Sequence, residues 1–130
     1  MEKHQDKKTY FFDIDGTIVK NMSFEDLEVA VNEPGFIQEL LPGVDYFFKW
    51  IIDKDDIVIF TTARSEKYRE MTLRTLENHK IKYKTLLMDL CSGPRILVND
   101  TVNVFYKKAI AINVARDQGF GDTFIYDPLH

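Results

Sequence analysis

Tyr10-Phe11-Phe12-Asp13-Ile14-Asp15-Gly16-Thr17 decides how this chain is read. An aromatic run ends in two acids separated by a single residue, and a glycine follows at once. The run predicts a strand over 9–13, apolar on both faces in the manner of a central parallel strand and therefore fully buried. In open α/β sheets, ligands bind in the crevice beyond the carboxyl ends of the strands. Two carboxylates placed there repel one another unless a cation or a shared proton intervenes. The economical partner is Mg2+, which takes one or two carboxylates together with phosphate oxygens and water. The competing reading of the same residues is an Asx turn followed by glycine.

Two further apolar runs favour the chemical reading. Ile57-Val58-Ile59-Phe60 leads into Thr61-Thr62-Ala63-Arg64, and Ile96-Leu97-Val98 into Asn99-Asp100. Three strands would then deliver carboxylates and hydroxyls to one edge. Between them, Ser23 is placed to cap a helix running to about residue 32, with Asp26 in a capping-box-like position, and Glu33-Pro34-Gly35 stops it. Val44, Phe47, Phe48 and Ile51 recur at helical spacing and predict a helix over 44–53. Ser65 caps a longer helix to about residue 79, with Tyr68, Met71 and Leu76 on its buried side. Strands are expected over 83–88 and 95–98, and 109–114 reads as a short fifth strand or the end of a helix. Residues 101–105 also allow a strand, and 127–130 read as a loose tail. Alternating strands and helices are the pattern of a parallel sheet covered on both faces.

Composition bounds the rest. A chain of 130 residues, 45% hydrophobic and 13% aromatic, fits one domain with a real core and excludes a disordered or fibrous class. Seventeen basic against twenty-one acidic side chains give a net charge of −4, which lacks the basic footprint of a general nucleic-acid binder and leaves room only for a local basic groove. The single cysteine, Cys91, excludes an intrachain disulfide and reads as a small buried filler. Residues 1–8 form a polar tail without the apolar region of a signal peptide, and no apolar stretch approaches the ~18 residues of a membrane helix. A cytoplasmic protein without membrane partners is expected. His4, His79 and His130 have no neighbours at metal-ligand spacing, and neither a P-loop nor G-x-G-x-x-G occurs.

Asp13-Ile14-Asp15-Gly16-Thr17, Thr61-Thr62-Ala63-Arg64 and Asn99-Asp100 resemble the first, second and fourth motifs of the haloacid dehalogenase superfamily, in the family's order and spacing over roughly residues 9–100. The resemblance implies an α/β fold, a three-layer Rossmann-like sandwich around a central, mainly parallel, five-stranded sheet. It also implies a Mg2+-dependent phosphatase acting on a phosphate monoester. Asp13 would attack phosphorus to form an aspartyl-phosphate, while Asp15 would protonate the leaving oxygen and then activate water. Thr62, or Thr61 beside it, would hydrogen-bond the phosphoryl oxygens. Arg64 would fork onto a phosphate or a substrate carboxylate, unless it is only a solvated surface charge. The metal set implied is Asp13 and Asp15 with Asn99 and Asp100, where the amide of Asn99 departs from the usual second acid and weakens the cradle. Asn99-Asp100 otherwise simply open a turn.

The family's third-motif lysine is missing. Leu90-Cys91-Ser92-Gly93-Pro94-Arg95 occupies its stretch, so Arg95 is the phosphate-binding substitute, with Lys84 and Lys67 as outside candidates. Residues 18–42 offer at most a minimal cap or flap. By resemblance, such members take large substrates or borrow a neighbouring subunit as a lid, which makes a homo-oligomer compatible. Sugar phosphates and nucleotides are the expected substrate classes. The rival readings are a binding or scaffolding module with little turnover, and a nucleic-acid end-processing phosphatase, which suits the absent cap but not the acidic charge.

Overall fold

β1 (Thr9–Asp13), β2 (Ile57–Thr61) and β3 (Thr85–Leu87) form a parallel sheet in the order β1-β2-β3. They belong to a computed structural model that describes residues 7–121, 123 and 124. Phe12 pairs with Phe60, Asp13 with Thr61, and Thr61 in turn with Leu87, so the three strands finish along one edge. Strand alternation places Tyr10, Phe12, Val58, Phe60 and Leu86 on one face. That face meets an aromatic layer in which Phe12 stands 5.5 Å from Phe47, 5.3 Å from Phe48 and 5.8 Å from Phe120 between ring centroids. Phe124 closes the layer at 4.5 Å from Phe47. These separations lie in the range of favourable stacked, tilted and edge contacts.

α1 (Phe24–Val31) begins where expected, because the Ser23 hydroxyl accepts from Asp26 N at 3.1 Å and satisfies one of the donors a helix start leaves open. Leu27 and Ala30 are its buried side. The excursion carrying it is pinched at its neck, where Leu41 N donates to Ile18 O at 2.9 Å and Val19 bridges Leu40.

The helix expected over 44–53 is instead a short α2 (Val44–Tyr46) followed by a π-helical turn, Phe47–Ile51. Its Ile52 N reaches back to Phe47 O at 3.0 Å. From this turn the consecutive rings Phe47 and Phe48 both touch Phe12. Ser65 caps a 3-10 turn, Glu66–Tyr68, that runs into α3 (Arg69–Asn78), and Tyr68, Met71 and Leu76 are buried as read.

Several expectations fail. The strand over 83–88 contracts to Thr85–Leu87. Residues 95–98 form no strand, with Ile96 and Val98 each 86% exposed, and 109–114 form neither strand nor helix. Residues 101–105 contribute only a bridge between Asn103 and Tyr106. The described sheet therefore has three strands rather than five, and one covered face rather than two. β1 is not fully buried: Phe11 is 53% exposed, and Ile57 and Leu87 on the same face are also exposed. An apolar run specifies burial only when another edge or layer receives it, and none does so here among the described residues. Cys91 is exposed rather than a core filler. Most of the 1–8 tail and the whole of 127–130 lie outside the described residues. No described helix is long and apolar enough to cross a membrane.

Candidate active site at the carboxyl edge of the sheet

β1 and β2 end side by side, which sets Asp13 against Thr61 at the carboxyl rim. Beyond Asp13 the chain turns tightly. Ile14 O accepts from Ile18 N at 2.9 Å and Val19 N at 3.2 Å, and Gly16 N donates to Val19 O at 2.7 Å. Gly16 takes φ +84°, a conformation that glycine adopts without steric penalty. The turn keeps Asp13, Asp15 and Thr17 together, and Thr17 Oγ1 donates to Asp13 Oδ2 at 3.2 Å. Although Asp13 is exposed, desolvation by its surroundings pushes its carboxyl above its ordinary value, and the Asp15 charge adds to this. The Thr17 hydroxyl, the Ile14 backbone and the Arg95 charge oppose it.

The cation that the paired acids require is supplied by the chain itself. Arg64, 4% exposed, forks onto Asp15 with Nε at 2.9 Å from Oδ2 and a terminal nitrogen at 2.8 Å from Oδ1. That nitrogen also donates to Gln38 Oε1 at 2.6 Å, and the other terminal nitrogen donates to Thr72 Oγ1 at 2.9 Å. Arg64 is thus neither a solvated surface charge nor free to fork onto a phosphate. Its position follows from the turn after β2, where Arg64 N donates to Thr62 Oγ1 at 3.0 Å and Asp89 N donates to Arg64 O at 2.8 Å.

Thr61 and Thr62 both reach the rim, and both are buried. Thr61 Oγ1 lies 3.4 Å from Phe12 O, to which it donates. Thr62 Oγ1 serves as an acceptor for Arg64 N, which leaves its hydroxyl hydrogen available to another oxygen.

The metal set does not assemble. Asp100 pairs with Lys108 at 2.5 Å, which holds its carboxyl below the ordinary range, and Asn99 Nδ2 lies 3.5 Å from Lys108 O. Among the described residues no three His, Cys, Asp or Glu side chains gather to hold an ion. Both oxygens of Asp15 are already engaged by Arg64. Asp13, Asp15, Asn99 and Asp100 as they stand therefore do not fit Mg2+.

Among the candidate cations, Lys67 is bound to Glu28 at 2.8 and 2.9 Å, an acid it shares with the Tyr68 hydroxyl. Lys84 precedes β3, at the opposite end of the strands from the rim. Arg95 turns onto Cys91 O at 2.6 Å and Gly93 O at 2.8 Å, yet its charge still acts on Asp13.

Two residues at the rim had no signal in the sequence. Gln38 completes the grip on Arg64. Arg116 lies against Gly16, held there by Asp117, whose N donates to Gly16 O at 2.9 Å and whose Oδ1 accepts from Asn21 N at 2.7 Å. No described hydrogen bond or ion pair engages the Arg116 guanidinium, which is exposed beside the acid turn. Only the return of the chain across 96 residues, from Asn21 to Asp117, brings it there. Comparison with protein-family models, with curated proteins and with solved structures finds no match to this chain.

Proposed function

We propose that this protein is a phosphatase that hydrolyses a phosphate monoester of the sugar-phosphate or nucleotide class through an aspartyl-phosphate on Asp13. The observation that carries the reading is the pairing of two carboxylates with different partners at one rim. Asp13 is held by the Thr17 hydroxyl and the Ile14 backbone, while Asp15 is gripped by a buried guanidinium. In the first half-reaction Asp15 enters protonated on a lone pair that Arg64 leaves free; an Asp13 oxygen bonds to phosphorus, the bond to the ester oxygen breaks, and the departing oxygen takes that proton. In the second, water gives a proton to Asp15 and attacks phosphorus, and the bond to Asp13 breaks to release phosphate. The Thr62 hydroxyl and the cations Arg95 and Arg116 are the donors on hand for the phosphoryl oxygens.

The Mg2+ requirement implied by the resemblance belongs to this reading in one arrangement. Residues 95–98 would join the second edge of β1, extending the sheet towards the five-stranded sandwich and carrying Asn99 and Asp100 to the rim. Two observations support that arrangement: β1 stands at the edge of the described sheet, and Ile96 and Val98 are exposed. A cytoplasmic setting, and a neighbouring copy serving as lid above the small 18–42 excursion, complete the reading.

A panel of sugar phosphates, nucleotides and 3′- or 5′-phosphorylated oligonucleotides, assayed with and without Mg2+ on the wild type and Asp13→Asn, tests it. Hydrolysis of small monoesters that is lost in Asp13→Asn is the expected result. Turnover indifferent to Asp13 contradicts it, and binding without turnover across the panel selects the scaffolding module instead.

A further inference from the structure

The grip on Asp15 is built from three separate parts of the chain. Arg64 comes from the turn after β2, Thr72 from α3, and Gln38 from the loop that returns from α1. That loop is itself fastened: Gln38 N donates to Thr75 Oγ1 at 3.1 Å, His79 Nε2 donates to Gln38 O at 2.7 Å, and Gln38 Nε2 donates to Lys20 O at 3.2 Å. Arg64 therefore cannot swing towards solvent without breaking hydrogen bonds on every side. A planar fork that is fixed in this way fixes the plane of the carboxylate it holds. It uses one lone pair on each Asp15 oxygen and leaves the other lone pair of each for a proton or a water.

We propose that Arg64, locked by Gln38 and Thr72, is a positioning residue that aims the free lone pairs of Asp15 at the leaving oxygen and at the attacking water. The inference rests on the phosphatase reading and adds to it a residue whose role is direction rather than phosphate binding. Proton transfer depends on a donor placed within hydrogen-bond reach of the reacting oxygen, and small misplacements reduce rate without weakening substrate binding.

The consequence is a dependence on the leaving group. An aryl ester with a good leaving group, p-nitrophenyl phosphate, needs little protonation, whereas an alkyl ester, glycerol phosphate, needs it fully. Steady-state kinetics of the wild type, Arg64→Lys and Gln38→Ala on both substrates tests this, with thermal melts to verify folding. Gln38→Ala retains the Arg64 to Asp15 fork and serves should Arg64→Lys fail to fold. The expected result is a loss in kcat of about 10²-fold on glycerol phosphate, a markedly smaller loss on p-nitrophenyl phosphate and a nearly unchanged KM, with Gln38→Ala showing the same selectivity more weakly. Equal losses on both substrates, or an effect confined to KM, overturn the positioning role while leaving the phosphatase reading intact. A wild type that hydrolyses neither ester overturns both.

Discussion

Arg116 lies across Gly16 so closely that a Cβ built on the glycine would stand 3.1 Å from Arg116 Cγ. The glycine also holds φ +84°, which an L side chain adopts with strain. Gly16→Ala is therefore expected to lose about 1–2 kcal/mol of stability and to displace Arg116 from the rim. A denaturant melt unchanged by Gly16→Ala would show that the turn tolerates a side chain.

Arg116 itself carries a separate expectation, because its guanidinium has no described partner and stands beside the acid turn. Removing one charged donor to a phosphoryl group costs about 1.5 kcal/mol at the low end suited to an exposed site, or roughly tenfold in binding. Arg116→Ala should raise KM for the preferred monoester, and the inhibition constant of inorganic phosphate, by about that factor. If both constants stay at wild-type values, Arg116 plays no part in binding the anion.

Asp13 makes stability depend on pH in a defined direction. Its carboxyl is held above the ordinary value mainly by desolvation at an exposed rim position, so the folded state binds this proton more tightly than the unfolded chain. The contribution is fully present below the unfolded value of 3.8 and is lost as pH rises through the higher folded value. Asp13→Asn, which cannot ionise, should melt above the wild type at neutral pH. The difference should shrink as pH falls through the carboxylate range. Since the side chain retains contact with solvent, the gain is modest, and its sign is the test. An Asp13→Asn protein less stable than wild type at pH 7 would refute this account of the carboxyl.

Ser23 caps α1 from an exposed position. Ser23→Ala should lower stability by about 1 kcal/mol while leaving the ratio of turnover on aryl and alkyl esters as it was. A change in that ratio would tie α1 to proton transfer.

What was legible in the sequence is what neighbouring residues determine. Ser23 and Ser65 announce helix starts because their hydroxyls bond to donors two or three residues on. Asp13 and Thr61 were legible as rim residues because each ends an apolar run, and parallel pairing in register does the rest. Arg64 was legible as a residue of the site but not in its direction, since its partners Asp15, Gln38 and Thr72 come from three other segments. Arg116 was invisible for the same reason. The run Ile96-Leu97-Val98 is the opposite case: its apolarity reads as burial, yet pairing depends on an edge elsewhere in the chain, and in the described structure Asp100 at its end meets Lys108 rather than Asp13. The π-helical turn at Phe47–Ile51 escaped because helical spacing reports which residues face the core and not how many share one turn.

The most direct test of the central claim is to mix the protein with its best monoester, quench in acid within one turnover and map the phosphoryl group by peptide mass spectrometry. One phosphoryl group on the peptide containing Asp13, absent from Asp13→Asn, is the expected result. Rapid hydrolysis with no phosphoryl group on Asp13, or with the group on another residue, would contradict it.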